Sequence, residues 1–161
     1  MTLTASLIDF HKRTHRSAGK LIKHCGLLGP EELNRDLPGF GYPSVRLQLH
    51  HMFTAERYWF GVLQGRIDID DDSMKFPTTE SLEKLRQSIF TESQRYLESV
   101  DDEQIQSARQ MITWGNKEKL LKPVHVIMRV VTHVYHHQGQ IVAMCRLMGK
   151  PVEPGLDFPL T

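Results

Sequence analysis

His133-Val-Tyr-His-His-Gln-Gly-Gln140 is the stretch whose reading decides the fold. It lies in an unbroken helical pattern from about Pro123 to Met148. His133 and His137 are four residues apart, so on a helix they sit one above the other on the same face. Two imidazoles at that spacing can reach one metal ion. The pair therefore predicts a helical bundle in which another element supplies at least one further ligand.

Along the same helix, Val126, Ile127, Val130, Val134, His137, Ile141, Met144, Cys145 and Met148 run along or beside one broad face, with His133 at its margin. His125, Arg129, Thr132 and His136 lie on the other side. Pro123 suits the first helical position, and Gly149-Lys150-Pro151 ends the helix. Working backwards, a second helix opens at Pro43-Ser44, with Ser44 as its cap, and runs to about Gln64. Arg46, His50, Arg57 and Gln64 form its polar centre, with Thr54 and Gly61 beside them. His51 is rotated by about 100° from His50 and falls beside Leu47, Ala55, Tyr58 and Val62. Phase thus nominates His51 to face inward and leaves His50, like His136, on the surface. Glu56 falls within the apolar arc of this helix, where an unpaired carboxylate would be costly. It calls for a partner, an arginine or histidine of the first helix. It also lies roughly 140° round the helix from His51, which separates the two as ligands of one ion.

A first helix spans Leu3 to Cys25, with Leu3, Leu7, Phe10, Thr14, Ala18, Leu21 and Cys25 in one stripe. His11 and His15, again four apart, flank that stripe and rival the later pair. Glu31 to Tyr42 reads as a crossover loop with one short helical turn at Glu31-Glu32-Leu33. A third helix covers Thr79 to Val100. Met111-Ile-Thr-Trp114 followed by Gly115-Asn116 reads as a short extended piece and a turn. The Asp68-Ile-Asp-Asp-Asp72 run lacks the glycine and distal glutamate of a calcium loop and reads as a solvated acidic loop. Residues 150–161 form an extended tail laid over the bundle.

Composition sets the outer limits. At 161 residues, with 40% apolar and 24% charged residues, the chain is expected to form one domain, residues 1–161. A net charge of +1 and no long basic block speak against nucleic acid as a partner. No apolar run reaches the roughly 18 residues of a membrane span, and no secretory signal is visible, so a cytoplasmic location is expected. Cys25 and Cys145 form no motif and read as buried free thiols.

Phase selects three histidines, His51, His133 and His137, to converge on one divalent ion. Zinc accepts such a set and leaves a position open; nickel, iron, copper and manganese also accept imidazole. His11 and His15 could replace or extend the set, or the histidines could satisfy one another in a metal-free core.

The motifs add a resemblance. Leu49-His-His-Met-Phe-Thr-Ala-Glu-Arg-Tyr-Trp59, His133-Val-Tyr-His-His-Gln-Gly-Gln140, and Gly149-Lys-Pro with Pro154-Gly-Leu-Asp157 together resemble the DinB/YfiT-like superfamily of helical-bundle metalloproteins, over nearly the whole chain. The match places the family histidine at His51 and its glutamate at Glu56. Gln138 stands where the family has arginine, and His15 where many members have asparagine. The resemblance implies an all-α four-helix bundle of up-down-down-up type, with a long crossover between the second and third helices. It implies a three-histidine site for one divalent metal, nickel or zinc, and a homodimer. Related members are transferases or isomerases that use a low-molecular-weight thiol: bacillithiol, mycothiol or glutathione. The expected protein is thus a metal-dependent enzyme that activates such a thiol or water on a small-molecule substrate. The alternative is a non-catalytic metal-binding or stress-related protein. Glu56, His15 and Tyr58 are the candidates for proton transfer, by inward phase.

Overall fold

The computed structural model describes residues 2–67 and 71–161. Four long helices build it: α1 (Leu3–Cys25), α3 (Val45–Leu63), α4 (Thr79–Glu98) and α6 (Pro123–Leu147). Short helices α2 (Pro30–Asn34) and α5 (Asp102–Gln106) lie in the connections, and strands β1 (Arg109–Thr113) and β2 (Lys117–Leu121) form a hairpin before α6. Local chemistry sets the starts. The hydroxyls of Thr2, Ser44 and Thr78 accept from Ala5, Leu47 and Ser81 amides at the first turns of α1, α3 and α4, each satisfying an amide the helix leaves unpaired. Pro123 opens α6, where no amide is needed. Asp102 of α5 accepts from the Leu3 and Thr4 amides at 3.0 and 2.8 Å, which ties the α5 end of the chain to the positive end of α1.

Contacts fix the relative directions of the long helices. Between α3 and α6, Gln48 meets Gln140 and Trp59 meets Arg129, so they run antiparallel. His11 meets Gln94 and His15 meets Arg86, so α1 and α4 are antiparallel too. Glu56 meets Ser93 and Phe60 meets Tyr96, which makes α3 and α4 parallel. Leu21, Leu49, Met52, Phe53, Leu82, Ile89, Ile141 and Met144 are fully enclosed between them. No helix among the described residues is long and apolar enough to cross a membrane.

The chain is mostly helical, as expected, with one small antiparallel hairpin beside the helices. The piece expected to be extended is the first strand of an antiparallel hairpin in which Met111 pairs with Lys119. Its tip turns through Gly115 and Asn116 at φ 67° and 57°, the left-handed region that glycine and asparagine tolerate. Met111 and Thr113 are buried and their neighbours exposed, a period of two that no helix could place on one face. A correction concerns His50, which is buried, 5% exposed, with its ring 5.5 Å from that of Phe76. The crossover covers the face of α3 that phase alone had assigned to water. His136 is exposed, as expected.

The tail lies against α1 and α6. Ser17 Oγ donates to the Leu156 carbonyl at 2.6 Å, Arg13 donates to the Pro159 carbonyl, and Phe158 packs edge-on against Phe10. Gln138 is buried beneath it and donates to both Ser17 Oγ and the Leu156 carbonyl. Cys25 and Cys145 are buried free thiols. Within the acidic run, Asp68 and Asp70 lie outside the described residues, so its reading as a solvated loop does too; Asp72 caps the 3-10 turn Ser73–Lys75.

Candidate metal centre

The antiparallel packing of α3 on α6 brings His51 to His133 and His137. One ring nitrogen from each lies within 4.8 Å of the others. His133 Nε2 and His137 Nε2 are 3.0 Å apart, a separation that two nitrogens at about 2.1 Å from one ion have at roughly a right angle. The His51 ring sits 4.7 and 5.1 Å from those of His137 and His133, and Tyr42 stacks on its other side at 3.9 Å.

Hydrogen bonding decides which nitrogen of His137 is available. The buried Gln48, one turn before His51, donates its amide to the Tyr42 carbonyl at 3.0 Å and to Gln140 Oε1 at 2.6 Å. A carbonyl only accepts, so the amide nitrogen must face Tyr42 and the amide oxygen must face His137 Nδ1, 2.5 Å away. His137 Nδ1 therefore carries the hydrogen and its Nε2 presents a lone pair. Charge states agree with this. Burial lowers the pKa of His137 to about 3 and of His133 to about 4, each helped by the neighbouring histidines. Burial and His50 lower that of His51 against an opposing pull from Asp71. Neutral imidazoles are the form that binds metal.

A cavity of about 450 Å³ opens over this group, lined by His51, His133, Tyr58, Trp59, Trp114 and Arg129 among others. Trp114, delivered by the hairpin tip, lies flat on Tyr58 with ring centroids 4.2 Å apart. Burial raises the Tyr58 pKa, so the phenol keeps its proton at neutral pH.

A second group lies elsewhere. His11, His15 and Glu56 are all at most 2% exposed, and their ligand atoms also fall within 4.8 Å of one another. His11 Nε2 is 2.7 Å from Glu56 Oε1 and His15 Nε2 is 2.9 Å from Glu56 Oε2. Ser93 Oγ donates to Oε1 at 2.7 Å. Burial alone would push the Glu56 carboxyl up, but His15 and His11 outweigh it by charge and by hydrogen bonds and hold it well below the usual carboxylate range. An ionised carboxylate only accepts, so both imidazoles carry their hydrogen on Nε2. Arg86, which only donates, faces His15 Nδ1 at 3.4 Å, consistent with that tautomer.

The expected partner of Glu56 on the first helix is thus present, twice over. Of the three candidates for proton transfer, Tyr58 lines the cavity, whereas Glu56 and His15 belong to the sealed group. Gln48, Arg129 and Trp114 escaped the sequence reading. Gln48 could have been found from its position three residues before His51, and Arg129 from its position four before His133. Trp114 reaches the site only through the hairpin, which periodicity does not register.

No curated protein matches the chain. The model of the DinB family matches it over residues 3–161, nearly the whole length and both histidine-bearing helices of the cluster, and the chain therefore belongs to the DinB family.

Proposed function

We propose that His51, His133 and His137 hold one divalent metal ion, nickel or zinc before iron, copper or manganese, and that the protein is a metal-dependent enzyme of the thiol transferase or isomerase type, or a hydrolase. The observation that carries this is the hydrogen bond from His137 Nδ1 to Gln48, which leaves Nε2 as a lone pair aimed at His133. The donor set fits: three neutral imidazoles on two helices, held from behind by an amide and a stacked tyrosine. When bound, a divalent ion at such a site supplies a Lewis acid that favours the ionised form of a thiol or water beside it.

The chain's own residues then have separable tasks. Gln48 and Tyr42 orient the imidazoles. Tyr58, protonated at neutral pH, is placed at the cavity wall as a proton donor, and the indoles of Trp59 and Trp114 limit water. His11, His15 and Glu56 act as a packed polar anchor, because both nitrogens that would face an ion already donate to the carboxylate. The long helices, with α1 antiparallel to α4 and α3 antiparallel to α6, read as the up-down-down-up four-helix bundle of the family, crossing over between α3 and α4. A homodimer is part of the same reading, and light scattering tests it.

Elemental analysis of wild type and His137→Ala after reconstitution with nickel and zinc tests the centre. About one ion per wild-type chain and loss in the variant is expected. An empty wild type would sink the assignment, and equal content would move the ion to His11, His15 and Glu56. Turnover of bacillithiol, mycothiol or glutathione with epoxide or chlorinated aromatic electrophiles tests the chemistry. A loaded protein silent with every thiol, and with ester substrates for hydrolysis, would favour a metal-binding or stress-related role.

A further inference from the structure

A second cavity, of about 400 Å³, adjoins the one over the histidines. Trp59, Trp114 and Arg129 line both. The rest of its wall comes from the hairpin and the start of α6, including Lys119, Leu121 and His125. Lys119 and Leu121 are two residues apart on β2 and so share a face, while Glu118, one residue before Lys119, points the other way. Strand alternation thus leaves this cavity with two permanent cations, Arg129 and Lys119, and no Asp or Glu among its lining residues. Neither cation forms an ion pair among the described residues. The Arg129 guanidinium lies 5.2 Å from the centre of the Trp59 ring, and Trp59 meets Trp114 edge-on at 5.3 Å. A guanidinium stacked on an indole keeps its N–H edge for a planar acceptor such as a carboxylate.

We infer that this cavity is a subsite for an organic carboxylate with a flat, aromatic body. The carboxylate is taken by Arg129 and Lys119, the body lies against Trp59 and Trp114, and the far end of the ligand extends into the cavity of His51 and His133. A free phosphate would leave both indoles uncovered, so the apolar wall selects the body and the cations select the charge. Chemistry at the far end rests on the metal-centre reading above; binding at the subsite does not.

The chain has two tryptophans, and both line this cavity, so intrinsic fluorescence reads it directly. The probes are 4-nitrobenzoate, its neutral isostere 4-nitrobenzamide, and inorganic phosphate as competitor, titrated into the purified protein as isolated and after nickel loading. Saturable quenching by the benzoate is expected, at least about tenfold tighter than by the amide, the size of a charge-assisted hydrogen bond, and weakening with salt. Arg129→Gln and Lys119→Gln, both at exposed positions, should each reduce that preference and together abolish it, leaving amide affinity unchanged. Equal affinity for benzoate and amide, no saturable quenching by benzoate, or a preference that survives the double substitution would overturn the subsite. Phosphate competing as well as benzoate would overturn the aromatic body. His137→Ala should lose metal yet keep the benzoate titration, so failure of the metal centre and failure of the subsite are read separately.

Discussion

His11 and His15 on α1, and His133 and His137 on α6, share the same four-residue spacing, and each pair meets a third residue from α3: Glu56 in one case, His51 in the other. The outcomes are opposite because of what faces each nitrogen. Behind His137 stands an amide oxygen, so the inner nitrogen is a bare lone pair. In front of His11 and His15 stands an ionised carboxylate, so their inner nitrogens carry hydrogen. One group borders a cavity; the other is closed on every side by α1, α3 and α4. Spacing nominates ligands in both groups; in the reading proposed above, the hydrogen-bond partners of each imidazole separate the metal centre from the polar anchor.

That contrast can be broken at either end. The largest effect is expected from Glu56→Leu, which leaves two imidazole donors and the Ser93 hydroxyl buried without their acceptor. Urea unfolding should show a loss of about 3–5 kcal/mol, with little change in metal affinity if the variant is loaded. If it lost metal while keeping its stability, the roles of the two groups would be exchanged.

Gln48→Leu attacks the other group. Removing the acceptor behind His137 frees its tautomer, and metal affinity measured by chelator competition should fall about 10–100-fold. Unchanged affinity would mean that the amide does not orient the ligand.

The pH response should also separate the groups. The folded pKa values of His133 and His137, about 4 and 3, lie below the unfolded value of about 6.5. The native state therefore binds fewer protons than the unfolded chain in that window. The associated stability is complete above about pH 6.5 and is lost as pH falls toward 4 and then 3. The Glu56 contribution, whose pKa is also depressed, starts to be lost only below its unfolded value of about 4.3. Urea midpoints of the metal-free protein should thus decline from pH 6.5 downward, and in a His133→Ala, His137→Ala double variant that first decline should shrink. A curve identical to wild type would remove these histidines as its cause.

The smallest effect concerns Gln138, which joins α6 to the tail. Gln138→Ala should cost about 1 kcal/mol, the worth of an ordinary hydrogen bond, and speed proteolysis within residues 150–161. Unaltered cleavage would show that Ser17 and the aromatic contact hold the tail alone.

Much was legible in the sequence because it is local. The four long helices carry their own caps and periodicity: Thr2, Ser44, Thr78 and Pro123 mark their starts, and helical phase nominated His51, which does meet His133 and His137, although His50 is the more deeply buried of the two. The need of Glu56 for a partner was legible too, since a lone buried carboxylate is costly wherever it falls. Tertiary structure decided what depends on neighbours far along the chain. It buried His50 under the crossover, because phase describes a bare helix and not what covers it. It brought Trp114 onto Tyr58 through a hairpin whose turn depends on two residues of positive φ. Above all it set Gln48, 89 residues from His137, behind one imidazole, and Glu56 in front of two others. The sequence alone determined that histidines four apart would line two helix faces. Packing determined the protonation of each nitrogen, because a proton follows its hydrogen-bond partner, and that partner lies on another helix.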